Sequence, residues 1–321
     1  MRHLLRRLAS GALVLAATSV LLFALAEIAP GDFLSALEVD PRVPRETVEA
    51  LRERYGLDRG PAERYLAWAR SALTGDFGYS FAHGRPVGEL LLPRARNTLV
   101  LTVLASLSAW ALALPLGTWM AARQGGWVDR LGLGASAVLL ATPQLLLGLG
   151  ALLLAATTGA FPAGGMTSLG FAEMGGTARL RDLAWHLALP AAALVLGSLP
   201  VLVHHVRSAL AEVLDAPYLR VARGHGVRPA RLLFRYALPA AANPLISLFG
   251  FSVASLLSGA LVIEVILSWP GMGTLLLQAI LARDLHVVVG ATLFSAVFVV
   301  AGQLLADLTL LAADPRIREP A

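Results

Sequence analysis

Six apolar runs, each long enough to cross a bilayer, dominate this 321-residue chain and fix its class before any motif is read. A hydrocarbon core of about 30 Å needs roughly 20 residues of helix at about 1.5 Å rise each. The runs 8–26, 97–122, 131–158, 183–206, 236–263 and 285–306 meet that length, the last carrying on to about residue 311. Four are free of charged and histidine side chains; the fourth holds His186, His204 and His205, and the sixth holds His286. Only 15% of all residues are charged, against about 25% in a soluble domain. The expected fold is an all-α integral membrane protein with six transmembrane helices.

Arginines orient it. Arg2, Arg6 and Arg7 precede the first run, and Arg123 and Arg130 lie between the second and third. Arg207, Arg220, Arg223, Arg228, Arg231 and Arg235 lie between the fourth and fifth, and Arg316 and Arg318 follow the last. With six spans these clusters share one side, which the positive-inside rule makes cytoplasmic together with both termini. A cleaved signal peptide is the rival reading of the first run, because Ala24-Leu25-Ala26 offers a small-residue cleavage site. The run exceeds the usual apolar stretch of about 7–15 residues, which favours a retained helix. On the opposite side, 30–96 is too long for a simple connection. Pro44 and Pro61 mark helix starts, Gly56 and Gly75 mark stops, and Val48, Leu51 and Tyr55, then Leu66, Ala69 and Leu73, fall on helical faces. A helical extracytoplasmic module follows, either packed on itself through those faces or offering them to another protein.

Most chemistries are excluded by what is missing. All 26 basic residues are arginine, so no lysine can reach a nucleotide phosphate from a P-loop. The chain has no cysteine and hence no thiolate nucleophile or metal ligand. No metal, cofactor or catalytic set is expected. An intramembrane protease would need Ser136 beside His204 or His205, yet Ala137 stands where a glycine would help form an oxyanion hole. A self-contained channel or secondary transporter remains; the latter lacks a mid-span acid for an ion site, since Glu27, Glu264 and Asp307 sit near run ends where each could reach water. In the fifth run Ser252, Ser255 and Gly259 form a small-residue face suited to close helix packing or to a pore.

A protein with no engine of its own must be driven from outside, and the stretch "YLRVARGHGVRPARLLFRYALP" (218–239) suits that role. Pro217 reads as a helix start, and Gly224 and Gly226 as a stop. Arg220 and Arg223 share a face, while Tyr218, Val221 and Ala222 offer apolar and small contacts to a groove in a cytoplasmic partner. A basic loop lying on anionic lipid is the alternative. A membrane-tethered loop of this kind does not suit nucleic acid.

The same stretch resembles the "EAA" loop of ABC-importer permeases. Ala222, Gly226, Leu238 and Pro239 match that pattern, whereas Arg220, Val221 and Tyr236 depart from it in the manner of the dipeptide/oligopeptide/nickel branch. "APGD" (29–32), "YGLD" (55–58), "GDFGYS" (75–80), "HLALP" (186–190), "WPGMG" (269–273), "ARD" (282–284) and "DPRIR" (314–318) are similar to the B-type subunit of that branch in the same order. The resemblance implies a type I importer permease fold, a non-catalytic subunit and a bacterial or archaeal cytoplasmic membrane. It implies a C-type permease paralogue, two ATPase subunits that bind ATP and magnesium, and an extracytoplasmic substrate-binding protein as partners. It makes 217–226, with Pro217, Tyr218, Arg220, Ala222, Arg223 and Gly226, the coupling helix to the ATPase. The expected organisation is 1–29 for the N-terminus and first helix, 30–96 for the external module, and 97–312 for the permease core with its coupling loop at 207–235. Residues 313–321 form a cytoplasmic tail.

Overall fold

The computed structural model describes residues 2–28, 44–54 and 59–313. Within them the chain is almost wholly helical, with one two-residue hairpin. The helices are α1 (Arg2–Ile28), α2 (Arg45–Arg54), α3 (Pro61–Leu73), α4 (Val87–Ala122), α5 (Trp127–Ala141), α6 (Gln144–Thr158) and α7 (Gly176–Leu214). They continue as α8 (Pro217–Gly224), α9 (Pro229–Ala240), α10 (Ala242–Ile266), α11 (Met272–Leu281) and α12 (Leu285–Ala313). The hairpin pairs β1 (Tyr79–Ser80) with β2 (Arg85–Pro86) antiparallel. Among the described residues four helices are long and apolar enough to cross a membrane, and up to six spans result if each of two bent helix pairs counts as one.

The bends have local causes. The run 131–158, expected as one helix, is α5 and α6 meeting at 94°. Pro143 follows Thr142, which is extended at φ −87° and ψ 114°; the pyrrolidine ring disfavours helical backbone at the residue before it and removes one N–H. The fifth run starts inside α9, whose residues Leu232–Ala237 are π-helical. Pro239 cannot donate to the carbonyl four residues back, and the N–H of Leu238 reaches Leu233, five back, within this widened turn. A further 54° bend separates α9 from α10.

Contacts divide the chain into two compact units, Met1–Thr98 with Pro270–Val300, and Leu99–Trp269 with Ala301–Ala321. In the first, Phe23 of α1, Trp68 of α3 and Val289 of α12 form a buried cluster flanked by Tyr65, Ala69 and Ala72. Ser19 Oγ lies 3.0 Å from the Tyr65 hydroxyl, and Arg64 Nη1 donates to Glu27 at 3.0 Å. The buried face of α3 therefore runs through Tyr65, Trp68, Ala69 and Ala72. Leu66 and Leu73, expected on the packed face, are 52% and 89% exposed. At 100° per residue the stripe is turned by about a quarter circle, because two aromatic rings bury more surface than two leucines do. Val48 of α2 is buried as expected; the Leu51 side chain and Tyr55 lie outside the described residues, as do 29–32, 55–58 and 314–318.

Several quoted motifs hold this unit together. The fully buried Asp284 accepts a hydrogen bond from Ser80 Oγ at 2.7 Å and one from the Ala82 N–H at 3.2 Å. Its other oxygen accepts from the Val287 N–H at 3.4 Å and so caps α12. Gly78 has φ +94°, and a Cβ there would lie 2.6 Å from the His286 ring. Its N–H, and then the Ser71 hydroxyl, bond the Asp76 carboxylate and hold it below the usual carboxylate range. Asn97 Nδ2 donates to the Pro270 carbonyl at 2.8 Å, and Thr98 Oγ1 accepts from the Met272 N–H at 2.8 Å, which caps α11.

The second unit is built around α7, which packs against α5, α6 and α10. Leu194, Leu202, Leu210, Leu219, Ile263 and Trp269 lie in its core. Glu264, expected to reach water from the end of its run, is instead fully buried. Gly259 meets α6 closely: a Cβ there would come within 2.5 Å of the Gln144 side chain.

Candidate coupling site

The stretch 216–226 folds as its sequence suggests. Ala216 is extended and Pro217 opens α8 at its first position, where a missing N–H costs nothing. At the other end the Gly226 N–H donates to the Arg223 carbonyl at 3.0 Å and the Val227 N–H to the Ala222 carbonyl at 3.3 Å. Gly226 has φ +80°. This pair of bonds around a left-handed residue is the Schellman stop, completed by Val227 and Ala222, which both pack on the core. A Cβ on Gly226 would meet nothing within 4 Å. Positive φ, not a close backbone approach, is what calls for a glycine here. Gly224 is still helical.

One side of α8 is anchored and the other is open. Leu219 is fully buried in the core cluster that also holds Leu210 of α7 and Leu232 of α9, and Ala222 is half-buried beside it. Tyr218 and Val221 are 53% and 59% exposed, and Arg220 and Arg223 are exposed too. The open face thus has an apolar edge and a basic edge. Arg228, Arg231 and Arg235 are exposed as well, no acid occurs between Asp215 and Glu264, and no carboxylate pairs with any of these five arginines among the described residues. Such a surface complements an acidic groove or an anionic membrane. Leu219 is the anchor that sequence reasoning missed; its three-residue spacing to Ala222 carried the signal.

A second missed feature is an ion pair. Asp129, 2% exposed at the start of α5, accepts two parallel bonds from the Arg207 guanidinium of α7 at 2.6 and 2.7 Å. The Gly125 N–H adds a third at 2.9 Å. The one hint in the sequence is that Asp129 is the sole acid between Glu89 and Glu173.

The three small residues of the fifth run serve different neighbours. Ser252 is buried, accepts from Trp110 Nε1 at 3.0 Å and donates to the Phe249 carbonyl at 2.7 Å. Ser255 is exposed, and Gly259 packs against Gln144. The protease arrangement does not form: Ser136 is buried, while His204 and His205 are exposed in a cleft of about 550 Å³. His205 Nδ1 lies 2.8 Å from the Val201 carbonyl, and no hydrogen bond joins either histidine to Ser136 among the described residues.

The family model described as "Binding-protein-dependent transport system inner membrane component" matches residues 113–319. The chain belongs to this family. It is a membrane permease component of a binding-protein-dependent transporter, as the resemblance implied. Similar proteins include the oligopeptide transport system permease protein AppB of Bacillus subtilis (strain 168), 34% identical over 98% of both chains. OppB of Mycobacterium tuberculosis (strain H37Rv) is 35% identical and the dipeptide permease protein DppB of Escherichia coli (strain K12) 30% identical, each over 99% of both chains. A chain of the inward-facing MetNI methionine ABC transporter shares the fold with a TM-score of 0.55 at 15% identity, over 70% of this permease and 96% of that chain.

Proposed function

We propose that this permease imports peptides or a closely related small solute, driven by two separate ATPase subunits. The observation that carries the substrate class is end-to-end similarity to oligopeptide and dipeptide permeases. A basic, apolar-edged α8 held by Leu219 supports its role as the coupling helix, with Pro217, Tyr218, Arg220, Ala222, Arg223 and Gly226 at the contact. Both termini and α8 face the cytoplasm in this reading, and ATP and magnesium bind to the ATPases. A C-type permease supplies the other half of the pore, to which Ser255 is available. A binding protein delivers ligand at the opposite face, over the module within 30–96. The contacts of α1 with α3 through Phe23, Ser19 and Glu27 favour a retained first helix over a cleaved signal peptide.

The test is uptake into proteoliposomes holding both permeases and the ATPases. A radiolabelled pentapeptide library should accumulate only with ATP and binding protein together. Accumulation driven by an ion gradient without ATP would favour a secondary transporter and overturn the proposal. The permease alone should show no ATP hydrolysis.

A further inference from the structure

Within the unit that holds 99–269, α8 rests on the bundle by apolar contact and is joined through α7 to a directional one. The apolar contact is Leu219, with Ala222 beside it, against the α7 and α9 core, and dispersion contacts of this kind impose no direction of their own. The other is directional. α7 runs from α8 back through Asp215, and seven residues before its end Arg207 grips Asp129 with both guanidinium branches. A planar fork on a carboxylate resists twisting and translation together. The Gly125 N–H, at a turn with φ +73°, also donates to the carboxylate, at the Oδ2 that accepts from Arg207 Nη2. Asp129 lies in the first turn of α5, and α5 meets α6 at the 94° elbow. Beyond the elbow, Gln144 abuts Gly259 and Gly197, and Gly148 meets the Ile263 and Ile266 side chains, so α6 bears on α10 and α7 without a gap.

Building on the coupling role of α8, we propose that Asp129 is a positioning residue of energy transmission. Through Arg207 it hands displacement of the coupling helix to the α5–α6 elbow and thence to α10. The pair touches neither nucleotide nor ligand; it acts by keeping α5 in step with α7. Loss of one partner leaves the other charge largely buried and lets the two helices move separately.

The experiment compares wild type, Asp129→Asn, Arg207→Lys and the exchange Asp129→Arg with Arg207→Asp, each in the complete transporter in proteoliposomes. The quantity read is ATP hydrolysed per pentapeptide imported, which a fall in the amount of folded protein does not change. We expect Asp129→Asn and Arg207→Lys to raise that ratio about fivefold or more, and the exchange to bring it back to within about twofold of wild type. A wild-type ratio in Asp129→Asn or in Arg207→Lys overturns the proposal. Failure of both to assemble also overturns it, since the pair is then a folding element. If wild type imports no pentapeptide, the peptide reading fails instead. The same comparison is then read from the nucleotide-dependent change in maleimide labelling of Ser255→Cys, which needs no ligand; retention of that change in Asp129→Asn again overturns the proposal.

Discussion

Gly226→Val should cut ATP-driven uptake about tenfold or more while leaving the permease in the membrane. The glycine sits at φ +80° with open space around it, so valine meets no clash with a neighbour; its penalty is its own backbone. A β-branched residue in the left-handed region is strained by roughly 1–2 kcal/mol or more. Relief comes from giving up the two bonds that close α8, to the Arg223 and Ala222 carbonyls. An eight-residue helix has little stability to spare, and roughly 1.4 kcal/mol is a tenfold change in population. Gly226→Asn, which tolerates this conformation, should keep most of the uptake. Equal uptake by wild type and the valine variant, measured at matched permease levels in vesicles, would show that the Schellman stop has no part in coupling.

Leu219→Asp should have the other large effect. Leu219 is fully buried where α8 rests on α7 and α9. A polar group buried there without a partner costs roughly 2–7 kcal/mol, most readily avoided by swinging α8 off its seat. Co-purification of the ATPase subunits should then fail, although the spans of α4, α7 and α12 depend on other contacts. Leu219→Met, close in volume, should cost less than about 1.5 kcal/mol and retain the complex. Normal ATPase recovery with the aspartate variant would mean that the seat of α8 is irrelevant to assembly.

The spans were legible because twenty-residue apolar runs have few other uses, and the α8 stop was legible because Gly226 follows a short proline-opened helix. The elbow at Pro143 does not follow from the length of the run, although the proline stands in it. Apolar composition on both sides hides a turn when only run length is counted. On α3 the leucine spacing alone gives a face that differs from the one set by Tyr65 and Trp68, whose rings pack on Phe23. Glu264 lies within about a turn of its run end, from which water is in reach, but the fold encloses it. Asp129 and Arg207 are 78 residues apart, and no local pattern links them. The same holds for Ser80 and Asp284, 204 residues apart, whose motifs marked the family without revealing that they bond each other.

The absence of cysteine makes the central claim directly measurable, because any thiol introduced is the only one in the chain. Tyr218→Cys and Arg223→Cys, both on the open face of α8, and Leu169→Cys, fully exposed on the loop between α6 and α7, would each carry a thiol-attached photo-cross-linker in the assembled transporter. The account predicts adducts with an ATPase subunit from positions 218 and 223 and none from 169. Absence of ATPase adducts at both 218 and 223, or their formation at 169, would contradict it.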